Sequence, residues 1–363
     1  MESTGFSSFL LTKESGLRNK ELILFWFCSI FAIVVGLQFD VGTDYFSYVN
    51  IFTSERETSL YYRKKEYLFY FLSEFLLKNN VHPQWGFIVL SLIQFVFIYK
   101  FLKFMNLGSY TIFLYLYFTV CTFLYNQTNG IRQYTAATIL LMSIRFFYSA
   151  KYIRAFFFIY IASLFHNSAI LFVAVEGFMF LLKKKWHPKL WGIGLVLAVL
   201  MIRINIIAWI VNLVPYLSRY SHYLTNAYGM EEIEGVNILT KVVYLPFYLL
   251  SLLSLRRMQS NKDIFFFQLG IFSYCVKLSC LSSPIMNRFA AYFEIFTILP
   301  LYYFFLDFFS RKIRIRYFDR IFFFLFLAIS LGLFFIKTTV MATAEYDYES
   351  ILVAIFRGNF NLE

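Results

Sequence analysis

Seven ionisable residues interrupt the apolar background of this chain where chemistry is possible: Asp40, Asp44, Arg132, His166, Arg219, His222 and Arg288. Arg132 belongs to Asn126-Gln127-Thr128-Asn129-Gly130-Ile131-Arg132-Gln133, a polar turn between two apolar stretches, with Gly130 suited to the turn and Arg132 in the first turn of the next helix. A helix N-terminus offers unsatisfied backbone N–H groups and a positive dipole end, and a guanidinium binds two oxygens in one plane, so the combination suits a phosphate. Arg288, after Pro284 and Asn287, opens another helix in the same way, and two such arginines converging would suit a diphosphate. An arginine at a span end also reaches lipid headgroups through its own length, which is the competing account of each. His166, one of four histidines, breaks the longest apolar region within Phe165-His166-Asn167-Ser168. A titratable imidazole in a dry segment suits a proton transfer or a hydrogen bond to a hydroxyl, and a histidine bonded to a neighbouring helix is the plainer alternative.

Carboxylates and aromatic faces complete the set. Val41-Gly42-Thr43-Asp44-Tyr45-Phe46-Ser47-Tyr48 puts Asp44 four residues after Asp40, so the two carboxylates can share a face. In the stretch beginning Pro215-Tyr216-Leu217-Ser218-Arg219, Tyr216, Tyr220 and Tyr223 form one helical stripe, with Arg219 and His222 beside it. Tyrosines bordered by polar donors suit sugar rings, although tyrosine belts are ordinary at membrane interfaces. There is no Gly-x-x-x-x-Gly-Lys-[Ser/Thr] loop, no His-Glu-x-x-His and no Asp-x-Asp, so neither a zinc site nor a metal-held sugar nucleotide is indicated. Cys28, Cys121, Cys275 and Cys280 lie in apolar runs without Cys-x-x-Cys spacing and read as small core residues.

The elements that must position these residues are membrane spans. Of the 363 residues 60% are apolar, 23% aromatic and only 15% charged, which excludes a soluble globular domain and a disordered chain. Continuous rather than alternating apolar blocks exclude an outer-membrane barrel. The hydropathy predicts eleven spans, at 22–39, 86–104, 110–125, 131–148, 153–166, 168–182, 189–210, 238–256, 263–282, 288–309 and 319–337. With the N-terminus (1–21) in the cytoplasm, 20 of the 33 basic residues fall in inner segments, so the net charge of +12 mainly encodes orientation and nucleic-acid binding is not expected. The arrangement is then an all-α, polytopic transmembrane domain over 22–337, with outer loops at 40–85 and 211–237 and an outer tail at 338–363. The segment 66–78 is apolar but short, about 20 Å at ~1.5 Å per residue, and predicts an interfacial or re-entrant helix. The stretch 152–182 predicts two helices meeting at the His166-Asn167-Ser168 break. All seven singled-out residues then lie toward the outer leaflet, where an ionisable group at membrane depth is a functional candidate.

The motifs Gly42-Thr43-Asp44-Tyr45 with Tyr48, Gly130-Ile131-Arg132-Gln133 with Ala136, Phe165-His166-Asn167-Ser168-Ala169, and Asn287-Arg288-Phe289 with Tyr292 make the chain resemble the EpsG-like branch of the Wzy polysaccharide polymerases, over about residues 20–337. The resemblance implies a fold of the membrane glycosyltransferase C type and a bacterial inner-membrane enzyme. Its N-terminus would be cytoplasmic and its C-terminus outside, and it would join undecaprenyl-diphosphate-linked oligosaccharides at the outer face. It implies Arg132, Arg288 and Arg219 as diphosphate ligands and Asp44 or His166 as the acceptor base. Tyr45, Tyr48, Tyr220, His222, Tyr223, Gln133 and Asn167 would be glycan contacts. The scheme needs no metal and no cofactor, and its partners are membrane lipids together with a chain-length regulator and a flippase of the same pathway. A lipid-linked oligosaccharide flippase would instead need polar residues through both leaflets and repeated halves, and an intramembrane acyltransferase would rest on His166.

Overall fold

The computed structural model describes residues 21–121, 123–202, 235–281, 288–310, 317–340 and 348–357. It is almost wholly helical. Among the described residues helices lie in each segment for which hydropathy predicts a span, residues 203–210 falling outside them, and α8 (Ile131–Tyr148) matches its predicted bounds. Four helices are both long and apolar enough to cross a membrane by themselves: α5 (Gln84–Met105) and the stretches Ile238–Arg257, Arg288–Phe309 and Arg320–Thr339. Others, among them α1 (Glu21–Gly36), α9 (Tyr152–Ser163) and α11 (Pro188–Met201), are apolar but shorter. Large apolar side chains such as Trp26, Phe157, Leu200, Phe324 and Phe335 face outward, which a protein in water avoids and one in lipid requires. The chain is an all-α membrane protein.

The polar turn predicted at 126–133 is narrower than expected. Asn126–Asn129 belong to a short helix, α7 (Phe123–Asn129), and only Gly130 separates it from α8. The local preference of Asn for turns gives way here because the Asn129 side chain has a tertiary task, described below. The stretch 152–182 breaks where its polar residues stand: α9 ends at Ser163, a 3-10 turn covers Asn167–Leu171, and α10 (Phe172–Leu182) follows. Between α1 and α5 lie β1 (Gln38–Phe39), α2 (Tyr45–Thr53), α3 (Glu55–Arg63) and α4 (Tyr67–Lys78), the last being the short apolar segment expected to lie at the interface.

The described chain forms two compact units. The first comprises residues up to 111, 124–167 and those from 343 onward. Its frame is α8 packed on α5 and α9. Gln94, fully buried in α5, donates to the Ile131 carbonyl at 3.1 Å and to Thr135 Oγ1 at 2.8 Å, which fixes the first turn of α8. β1 pairs antiparallel with β2 (Glu349–Ser350), so the C-terminal segment joins this unit just after α1. The second unit, residues 112–123 and 168–342, is built on α14 (Asn261–Ser279), packed against α11 and the helices after residue 290. A Cβ on Gly270 would meet Pro300 Cδ at 2.4 Å and the Phe296 carbonyl at 2.7 Å, so only glycine permits that helix contact.

Candidate active site

In the first unit two sequence motifs meet at a residue that belongs to neither, and a third packs beside Arg132. Glu66 follows a sharp reversal between α3 and α4, where Lys65 holds a left-handed φ of 63°. The two backbone N–H groups of Leu68 and Phe69 in the first turn of α4 donate to the Leu164 carbonyl, at 3.1 and 3.3 Å, and so bind the start of α4 to the end of α9. That contact satisfies donors which every helix start leaves open, and it brings Glu66 against His166. The Glu66 carboxylate accepts from His166 Nδ1 at 3.2 Å and from the backbone N–H of Asn167 at 3.0 Å, both on Oε1. Its other oxygen accepts from Nη1 of Arg132. The side chains of Glu66, Arg132 and His166 are 4%, 16% and 20% exposed, so the charges face one another with little water between them.

Electrostatics favour an ionised carboxylate there. Burial alone pushes the Glu66 carboxyl up, but the His166 hydrogen bond, the Arg132 guanidinium and the Asn167 amide outweigh it and hold it below the ordinary value of 4.5. The carboxylate also sits at the positive end of α4. Arg132 lies over the Tyr61 ring at 4.6 Å and within 5.4 Å of the Phe69 ring, an aromatic bed that replaces part of the hydration it loses. Tyr61 and Phe69 are edge to face at 4.9 Å.

The remaining expected residues fall in three groups. Asp44 is exposed and joins the site through its backbone: the Asp44 N–H and the Thr43 hydroxyl both donate to Asn129 Oδ1, at 2.9 and 3.2 Å. Gly42 (φ 78°) makes this clasp, since a Cβ there would meet Asn129 Oδ1 at 2.7 Å. Tyr48 is buried beside Arg132 and receives a backbone hydrogen bond from it, and burial pushes its phenol up to about 12. Tyr45 is also buried, stacked on Phe87 at 5.0 Å and reaching Gln84 at 3.5 Å. Gln133 is half-buried one residue after Arg132, and Asn167 is exposed beside His166. In the second unit Arg288 is exposed at the start of its helix, and Ser168 is hydrogen bonded to Tyr292 at 2.7 Å, linking two of the four motifs. Arg219, Tyr220, His222 and Tyr223 lie outside the described residues.

Glu66 is the residue that sequence reasoning passed over. The sequence does carry a signal for it, a carboxylate that opens an apolar helix. Chemically, a carboxylate that accepts the Nδ1–H of an imidazole selects the tautomer whose Nε2 is the proton acceptor, and it stabilises the imidazolium formed when that nitrogen takes a proton. Among the described residues no three His, Cys, Asp or Glu side chains gather as a metal would require.

Comparison with protein families matches residues 21–350 to the EpsG family. No curated protein and no solved structure matches the chain.

Proposed function

The chain belongs to the EpsG family, the family of Wzy-like polysaccharide polymerases, and from that premise we propose that it joins undecaprenyl-diphosphate-linked oligosaccharide repeat units by glycosyl transfer at the outer face of the bacterial inner membrane. The acceptor sugar hydroxyl attacks the anomeric carbon of the donor glycan. A new C–O bond forms, the bond from that carbon to the diphosphate oxygen breaks, and undecaprenyl diphosphate leaves with the electron pair. The hydroxyl proton must go to a base, and the leaving diphosphate needs positive charge near it.

His166 is the base in this reading and Glu66 its positioning residue. The observation that carries it is the Glu66 carboxylate, buried and shared between His166 Nδ1 and Arg132. Asp44, the other candidate, is exposed and attached through its backbone N–H to Asn129. Arg132 keeps Glu66 ionised and, at the positive end of α8, adds potential that favours a diphosphate. General-base catalysis of this kind typically contributes about 10²–10⁴ in rate, and holding two lipid-tethered substrates in one leaflet supplies much of the remainder.

The test uses the purified protein in liposomes with a lipid-linked repeat unit from its own host, and resolves product length on gels. Wild-type protein should build a ladder, and His166→Gln should stop at the single unit. A wild-type protein that yields no ladder while moving the unit across the bilayer would replace the polymerase by a transporter. A full ladder from His166→Gln would remove His166 as the base.

A further inference from the structure

The second unit holds a group of charged side chains that this reaction scheme does not use. Lys241 opens the long helix Ile238–Arg257, and Lys277 lies in the last turn of α14. Glu294 is near the start of Arg288–Phe309, and Lys337 lies in the π-helical turn Ile336–Val340 that follows α17 (Tyr317–Phe335). These helices succeed one another along the chain with alternating direction, so the four residues fall at one end of the unit. Arg256, Arg257 and Lys262 fall at the other end. On the orientation expected from charge, the lysine end is the outer one.

The four side chains form one cluster. Lys277 Nζ donates to Glu294 Oε1 at 2.6 Å, and these two residues are 8% and 3% exposed. Lys241 and Lys337 are within hydrogen-bonding reach of each other, and each feels the charge of Lys277 and of Glu294. The backbone beneath them is held firmly. Tyr274 donates to the Lys241 carbonyl at 2.7 Å and stacks on Tyr248 at 3.6 Å; Tyr248 in turn donates to the Thr297 carbonyl at 2.7 Å, and Thr297 Oγ1 donates to the Glu294 carbonyl at 2.6 Å. Lys337 sits on a π-helical turn, a distortion that is frequent at functional sites.

Among the described residues, three lysine side chains and one carboxylate are thus gathered at one end of an apolar unit. Two lysines brought close to each other repel when both are charged, and Glu294 bonds Lys277 rather than either of them. A multivalent anion resolves the imbalance, because each ammonium carries three donors and a compact charge that suits phosphate oxygens. We infer that Lys241, Lys277 and Lys337 form a binding site for a phosphate or diphosphate group, and, resting on the polymerase reading above, that its occupant is the diphosphate of a polyprenyl-linked substrate. The reaction brings two such diphosphates to the protein, one on the donor and one on the acceptor. A site of this kind would hold the diphosphate that the arginines at the catalytic residues do not.

The experiment measures equilibrium binding to the full chain in nanodiscs of phosphatidylcholine, with undecaprenyl diphosphate, inorganic diphosphate and phosphatidylglycerol as probes. Undecaprenyl diphosphate should bind, and Lys241→Gln and Lys337→Gln should each weaken it by roughly ten- to a hundredfold, the ratio set by losing a hydrogen bond to a charged group. Arginine at either position should retain most of the affinity. Glu294→Gln should tighten binding, because it removes the one carboxylate that competes with the anion, and it decides the matter where a lysine variant does not fold. Unchanged affinity in the lysine variants, or no gain from Glu294→Gln, overturns the site. Phosphatidylglycerol competing on equal terms assigns the cluster to ordinary lipid headgroups and overturns its substrate role. If His166→Gln loses chain growth while the lysine variants bind the probe normally, this site falls and the polymerase reading stands.

Discussion

Replacing Glu66 by Gln tests the proposed catalytic arrangement most directly, because the side chain keeps its size and loses only its charge. In the native protein the carboxylate is 4% exposed and bonded to Arg132, His166 and the Asn167 amide. Removing one member of a buried ion pair typically costs about 3–5 kcal/mol, since the partner is left with an unbalanced charge. Arg132 is 16% exposed and lies over the Tyr61 ring, so water and the aromatic face recover part of that loss. A destabilisation of roughly 2–3 kcal/mol is expected on these grounds. The catalytic effect should be larger. A Gln amide accepts at one atom only and donates at the other, so it cannot receive both the His166 Nδ1–H and the guanidinium as a carboxylate does, and it no longer stabilises the imidazolium. Chain growth should fall by about 10²–10⁴, the range of a general base that has lost its tuning. The assay is the initial rate of repeat-unit addition in liposomes at matched folded protein, with melting of the purified variants in parallel. Combining Glu66→Gln with His166→Gln completes the test, because two residues acting as one device lose far less together than the sum of their separate losses. A Glu66→Gln enzyme within threefold of wild type, at normal folded abundance, would refute the carboxylate–imidazole mechanism, with threefold taken as about 0.7 kcal/mol.

Acid should act through the same carboxylate. Its folded value is depressed below 4.5, so its contribution to stability is full above that pH and is lost as pH falls through the lower folded value. Melting temperatures of wild type and Glu66→Gln should differ by a constant amount near neutral pH and converge in acid; a gap that widens in acid contradicts the assigned direction. Gly42→Ala forces a side chain onto a left-handed residue and into Asn129, and should cost about 1–3 kcal/mol and reduce chain growth, read by melting and gel analysis. Arg132→Lys keeps the charge but loses the planar fork, and should shorten the glycan ladder sharply, whereas Arg145→Lys, at a residue lying over Phe104 and Phe146, should leave it near wild type. Equal ladders from the two would return Arg132 to the role of a headgroup anchor.

Much of this protein is legible in its sequence because helix formation in lipid is a local matter. Every backbone donor must be satisfied within the segment, so a continuous apolar run has one solution, and α8 ends where its apolar run ends. The breaks are local too: His166-Asn167-Ser168 ends one helix because polar groups and a 3-10 turn replace the ladder there. The motif residues Arg132 and His166 also stood out from sequence, since charge within an apolar stretch is costly wherever the chain goes. What tertiary structure alone decided is which charges meet. Glu66 reaches Arg132 and His166 across 66 and 100 residues, through a left-handed turn at Lys65 and a shared carbonyl at Leu164 that no periodicity encodes. Asn129, Gly42 and Asp44 form their clasp across 85 residues, and Lys241, Lys277, Glu294 and Lys337 meet only because successive helices run in alternating directions. Ion pairs and hydrogen bonds depend on distance in space, and in a chain of antiparallel helices that distance is set by packing rather than by separation along the sequence.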